Sequence, residues 1–255
     1  MSPYVSYKDI FSKIDLKRGD VVQVGSDILR LICVCRENHE SFDPNLFIDS
    51  LLERIGPHGT VLFPTFSFGF CQGETFDYHQ TPSHAGGLSR IALERKDFRR
   101  TKHPIHSFAV WGRDQTHVCS LDNKSSFGPD SPFGYLYDRH AKLLAIGVDY
   151  KLTFPFVHYV EESVGVPYRF LKTFTGRYVD ENRGERIASY RFYVRDPKQC
   201  AITVTDPRTD QILRERGHYT HLTINGIYFG LVNLRGTADI LLEDQRTERA
   251  LVYAG

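Results

Sequence analysis

The chain has 255 residues, 41% hydrophobic and 25% charged, enough for one large domain or a main domain with a smaller appendage. Its formal net charge is +1, and its basic residues are dispersed without a run, which excludes the usual electrostatic footprint of a nucleic-acid or membrane-surface binder. No apolar stretch is long enough to cross a bilayer, and Met1-Ser2-Pro3-Tyr4-Val5 lacks the cationic start and apolar run of a secretory leader, so the expected compartment is the cytoplasm.

Val21-Val22-Gln23-Val24 follows Gly19-Asp20, reads as a short buried strand and runs into Gly25-Ser26-Asp27. Cys33-Val34-Cys35 is not a CxxC pair, and its alternate spacing reads as one face of a strand. With Cys71, Cys119 and Cys200 it makes five irregularly spaced cysteines, expected to be reduced thiols rather than a disulfide framework. Asp43-Pro44 opens a helix, because Asp caps free amides and Pro suits the first helical position. Phe47, Ile48, Leu51, Leu52 and Ile55 then repeat at helical spacing, and Gly56-Pro57 closes the segment. Thr60 to Phe63 is the next strand, ending at Pro64-Thr65; strand, helix and strand of these lengths predict a crossover between parallel strands.

Further strands are predicted over Ser107 to Trp111 and Leu143 to Val148, and a helix over His158 to Val164, with Pro155 in its first turn and Gly165 at its end. After Tyr168 the texture changes: Tyr190 to Val194 and Ala201 to Val204 alternate as half-exposed antiparallel strands do. The predicted fold class is α/β, a mainly parallel central sheet flanked by helices, with a β-rich C-terminal portion. The division expected is a core over 1–175 and a β-rich part over 176–255 that completes the substrate cleft, or else a single domain over 1–255.

Polar residues crowd four places beside predicted strand ends, where open α/β sheets bind ligands: 25–27, 63–68, 100–107 and 157–162. On a helix, His158 and Glu161 share a face, so the carboxylate can hold one imidazole nitrogen and leave the other as a general base. By spacing alone, an ordinary surface ion pair or a histidine in a polar core niche fits equally well. The other histidines, among them His79, His84, His103, His106, His117 and His140, show no metal-site spacing: HxxE lacks the second His of a zinc-protease helix, and no metal is expected. Ser26 lacks a GxSxG elbow, and the scattered glycines build neither a P-loop nor a dinucleotide fingerprint.

In chain order the sequence carries Gly19-Asp20-Val21-Val22 through Ser26, Gly59 to Phe66, Phe76-Asp77 with Thr81-Pro82-Ser83, and Gly87-Leu88-Ser89. Arg100 to Ser107, Gly128 to Phe133, Leu144 to Val148 and His158-Tyr159-Val160-Glu161 follow. Each is weak alone; their ordered co-occurrence over residues 6 to 175 resembles the aminoglycoside 3-N-acetyltransferase family, also called the antibiotic N-acetyltransferases. The resemblance implies an acetyl-coenzyme A-dependent N-acetyltransferase on an α/β fold distinct from the GNAT acetyltransferases. It implies His158 as general base with Glu161 orienting it, and Ser26, Pro64, Thr65, Arg100, Thr101, His106 and Ser107 along the cofactor groove. Thr65 and Ser107 are the candidate donors to the thioester carbonyl, and Asp77 and Glu162 the candidate substrate-binding carboxylates. The expected partner is a small-molecule amine, with no nucleic acid or membrane; a homodimer is compatible with the sequence.

The chain departs from the family before His158, where an Asn-Thr pair is usual and Leu152 to Val157 stand instead. Beyond Gly176 the match fades and Arg177, Arg183, Arg186, Arg191 and Arg195 punctuate the chain. Because arginines suit a diphosphate, the favoured acceptor from sequence is an amino sugar, nucleotide-linked, for surface polysaccharide biosynthesis, with an aminoglycoside as the alternative. A metal-dependent hydrolase and a non-catalytic ligand-binding protein are the remote readings.

Overall fold

The computed structural model describes residues 3–199, 203–247 and 251–254. Cys200, and Ala201-Ile202 at the start of one expected strand, lie outside the described residues.

Strands β1 (Val21–Ser26), β2 (Thr60–Pro64), β3 (Phe76–Asp77), β4 (Arg99–Arg100), β5 (Phe108–Gly112) and β6 (Lys142–Ile146) alternate with helices α1 (Leu29–Glu37), α2 (Pro44–Ile55), α3 (Gly87–Glu94), α4 (Gln115–Ser120) and α5 (Pro132–Asp138). After α6 (Val157–Val164) come a long hairpin, β7 (Arg169–Val179) and β8 (Glu185–Arg195), then β9 (Thr203–Thr205), α7 (Arg208–Glu215), β10 (Tyr219–Ile224), β11 (Ile227–Asn233), α8 (Leu234–Thr247) and β12 (Val252–Ala254). The central sheet has the order β10-β11-β6-β1-β2-β5-β4; β3, β7 and β8 form a three-stranded sheet, and β9 pairs with β12.

The middle strands are apolar on both faces, and the structure shows why. Val22, Val24, Val61, Phe63, Leu144 and Ile146 face a core completed by Leu31, Phe47, Leu51 and Leu88 of α1 to α3. The intervening Val21, Leu62, Leu143 and Ala145 face a second core with Phe133 and Leu136 of α5 and Ala238 and Leu241 of α8. A sheet covered on both sides needs continuous apolar runs rather than alternation. Asp43 caps α2 by accepting from the amides of Asn45 and Leu46, and Gly165 ends α6 in the left-handed conformation.

Two expectations are corrected. Within the central sheet β1–β2 and β1–β6 pair in parallel, whereas β2–β5, β5–β4, β6–β11 and β11–β10 are antiparallel, so the sheet is mixed rather than mainly parallel. A tight turn at Asn225-Gly226, both with positive φ, makes the β10–β11 hairpin, which needs no crossover helix. Residue 176 falls inside β7, and β10–β11 extend the central sheet. Cys33 and Cys35 lie on helix α1, not a strand; two residues there turn the side chains about 200° apart, leaving Cys33 exposed and Cys35 buried.

The parallel strands β1, β2 and β6 point their C-terminal ends to one edge, and the loops leaving them surround an open cleft. At this edge Gly147 follows β6 with φ +68, and a Cβ there would lie 2.1 Å from the Asp27 carbonyl oxygen. Only glycine lets the two strand exits come that close.

Candidate active site

The cleft has a volume of about 920 Å³. Its floor is Ser26 at the end of β1, Pro64 at the end of β2, and Phe66. Its walls are the start of α1 with Leu29, the start of α3 with Gly86, Gly87 and Arg90, the turn carrying Lys151 to Thr153, and the first turn of α6. His158, in that first turn, projects into the cleft.

His158 Nδ1 lies 2.6 Å from Glu161 Oε2, one helical turn along α6. Glu161 is 2% exposed, and the same oxygen lies 2.7 Å from Arg169 Nε at the start of β7, while Tyr168 donates to its other oxygen at 3.2 Å. A carboxylate held by a guanidinium and a phenol is fixed as an acceptor, so Nδ1 must carry the proton and Nε2 presents its lone pair. Nε2 has no hydrogen bond among the described residues. The ring's orientation is set further by Phe127, whose centroid is 5.3 Å away at an interplanar angle of 67°.

The residues expected along the cofactor groove separate into two groups. Ser26 and Pro64 line the cleft with His158. Thr65, Arg100, Thr101, His106 and Ser107 lie beneath its floor, none more than 4% exposed. Ser107 Oγ lies 3.0 Å from the Thr65 carbonyl and 2.8 Å from the Thr65 hydroxyl, so the two hydroxyls bond each other and the backbone beneath the floor. Arg100 spends its donors on Ser107 Oγ and on the carbonyls of Thr65, Thr81 and Tyr78, with its guanidinium 4.8 Å from the centre of the Phe76 ring; burial brings its pKa down to about 10. It braces backbone and has no face for a phosphate. Thr101 Oγ1 accepts from the Phe108 amide.

His106 Nδ1 lies 2.9 Å from Ser126 Oγ, and Phe66, Phe127 and Phe192 surround the ring at 4.7–4.8 Å. Burial holds its pKa well below the ordinary histidine value, with small further contributions from His103 and His158. It is a neutral pillar under the cleft: Phe66 above it is floor, and Phe127 beside it contacts His158.

Neither substrate candidate lines the cleft. Asp77 accepts from the amides of His79 and Gln80 and pairs with Arg183 at 3.3 Å, stabilising a turn. Glu162 accepts from Ser125 Oγ, and burial raises its pKa. The arginines that favoured a diphosphate acceptor are also elsewhere: Arg177 pairs with Glu185, Arg183 with Asp77 and Arg186 with Asp180, while Arg191 and Arg195 lie on the exposed hairpin. Sequence reasoning missed Lys151, Thr153, Phe66, Arg90 and Arg169. The last two had no signal, being single arginines among many; Thr153 stood in the segment already noted as unlike the family, and Lys151 immediately precedes it. Among the described residues no three His, Cys, Asp or Glu side chains gather as metal ligands, and no helix is long and apolar enough to cross a membrane.

A mixed α/β sheet with a carboxylate-steadied histidine over the strand-exit cleft is an architecture suited to acyl transfer. The same fold recurs in solved structures. AAC-IIIb, in a binary complex with CoASH, superposes with a TM-score of 0.77 at 16% identity, covering 94% of this chain and 96% of that one. Sisomicin-bound AAC-VIa gives 0.75 at 17% identity, covering 96% and 99%. In sequence, the SPbeta prophage-derived aminoglycoside N(3')-acetyltransferase-like protein YokD of Bacillus subtilis (strain 168) is 27% identical over 75 residues, which are 29% of this chain and 28% of that relative. The family model for aminoglycoside 3-N-acetyltransferases matches residues 38–241, about four-fifths of the chain. The chain belongs to that family.

Proposed function

We propose that the chain transfers the acetyl group of acetyl-coenzyme A to an amine of an aminoglycoside-type amino sugar, directly and with His158 as the general base. The observation that carries this reading is the His158–Glu161 contact at 2.6 Å, made by a histidine that lines the cleft. Ser26 and Pro64, on the cleft floor, are placed to contact the thioester end of the donor. The CoASH and sisomicin complexes of AAC-IIIb and AAC-VIa support this choice of donor and acceptor class. The nucleotide-linked acceptor loses its ground once the arginines behind it are engaged away from the cleft.

The chemistry then needs few parts. The acceptor nitrogen attacks the thioester carbonyl while its proton passes to His158 Nε2. Glu161, through Nδ1–H, steadies the imidazolium that forms. The tetrahedral intermediate expels the coenzyme A sulfur, which takes the proton back from the imidazolium, leaving amide and free thiol. Desolvation by the apolar floor strengthens each of these electrostatic contacts.

The test is thiol release from acetyl-coenzyme A across a panel of aminoglycosides and amino-sugar nucleotides. Turnover is expected with an aminoglycoside and reduced by at least about a hundredfold in His158→Ala, the low end of general-base contributions. Silence with every amine, or undiminished turnover in His158→Ala, removes the reading; turnover with nucleotide sugars alone replaces the acceptor class.

A further inference from the structure

Resting on that reading of the donor, we infer that Arg90 reads the phosphates of free coenzyme A, so that the enzyme selects a nucleotide-bearing donor over one presented on pantetheine alone. Coenzyme A carries its negative charge at the end remote from the thioester, and a cleft that binds it needs a cation away from His158. Two cationic side chains, Lys151 and Arg90, line the cleft beside His158. His158 is the base. Lys151 is engaged twice, 2.9 Å from Asp210 and 3.7 Å from Asp149. Arg90, in the first turn of α3, makes no ion pair or side-chain hydrogen bond among the described residues while lining the same cleft. Arg100, the cation singled out by sequence, is spent on carbonyls below the floor. A guanidinium with all its donors open matches a phosphate bidentately, and beside it Gly86 and Gly87 present backbone with no side chain in the way.

The apolar part of the donor has a matching surface. Leu152 is 82% exposed and Leu29 71%, two of the most exposed large apolar side chains described, and both line this cleft from different walls. Apolar side chains left in water at a cleft mouth mark a ligand surface. They are placed to flank the pantetheine arm between a thioester at His158 and phosphates at Arg90.

Equilibrium binding of coenzyme A and of pantetheine to the whole chain tests this without any acceptor. Arg90→Ala should weaken coenzyme A by about tenfold or more, the scale of a lost charge-assisted contact, and leave pantetheine unchanged. Arg90→Lys should recover part of the loss, and the salt dependence of coenzyme A binding should flatten in Arg90→Ala. Leu152→Asp should weaken both ligands. Wild-type binding of coenzyme A that Arg90→Ala leaves intact, or an equal loss for both ligands, overturns the role of Arg90 while the donor reading stands. Failure of the wild type to bind coenzyme A overturns both.

Discussion

Glu161 serves His158, Arg169 and Tyr168 with two oxygens, and this sharing makes it unlike its histidine partner. Glu161→Gln keeps an acceptor for His158 Nδ1 but removes the carboxylate charge that lies 2.7 Å from Nε of Arg169, itself 7% exposed. Breaking one side of a buried pair costs about 3–5 kcal/mol. Glu161→Gln is therefore expected to lower both turnover and the thermal midpoint, whereas His158→Ala, which leaves the Glu161–Arg169 pair in place, lowers turnover with little change in midpoint. Parallel melts and thiol-release rates separate the two, and equal midpoints would contradict the coupling. Arg100 belongs to the other kind of residue. Arg100→Met strips a donor from the buried Thr65 carbonyl, an unmet group costing about 1–3 kcal/mol, and from the half-buried carbonyls of Tyr78 and Thr81, so it should destabilise the fold. Coenzyme A affinity, measured on the folded fraction, should not change; a selective loss of affinity without loss of stability would return Arg100 to the cosubstrate.

Among the elements, the exit of β1 decides the shape of the cleft. A Cβ on Gly25 would lie 1.8 Å from Thr153 Oγ1 and 2.6 Å from Thr153 Cβ, so the turn carrying Lys151, Leu152 and Thr153 rests directly on strand backbone. Gly25→Ala is expected to push that turn outward, costing about 1–3 kcal/mol as overpacking does, and to weaken coenzyme A binding because Thr153 and Leu152 are cleft wall. Gly25→Ala combined with Thr153→Gly should recover much of both losses; denaturant midpoints with binding isotherms check it, and no recovery would place the strain elsewhere. Most of the residues that depart from the family pattern line the cleft, and the last of them, Val157, opens the helix that carries His158.

At the scale of the whole molecule, two uncharged histidines beneath the cleft tie stability to pH. Burial holds His103 at about 3, below the ordinary 6.5, and His106 moves the same way. Between those values the unfolded chain binds a proton that the folded chain refuses, so stability is full above about 6.5 and falls as the pH drops towards 3. The slope is about 1.4 kcal/mol per pH unit for each such histidine. Denaturant midpoints from pH 7 to pH 4.5 should fall, and His103→Asn should flatten the fall; a midpoint that rises on acidification would contradict the assignment.

Much of this was legible from local pattern. The α2 helix with its Asp43 cap, the strands at 21, 60, 107 and 143, the Gly165 stop and the His158–Glu161 face all rest on interactions within a few residues, which periodicity and capping rules register directly. The Asn225-Gly226 turn was equally readable and would have declared the antiparallel hairpin. What local pattern cannot carry is which side of the cleft floor a residue falls on. Thr65 and Pro64 are neighbours in sequence, yet successive side chains of an extended segment point to opposite sides, so Pro64 meets the cleft and Thr65 meets Ser107. The sequence by itself determined the α/β character, the family and the pairing of His158 with Glu161 on one helix face. Only the tertiary structure decided that Arg100 is buried bracing and Arg90 faces the cleft, because solvent exposure of a cation depends on what the other segments of the chain bring against it.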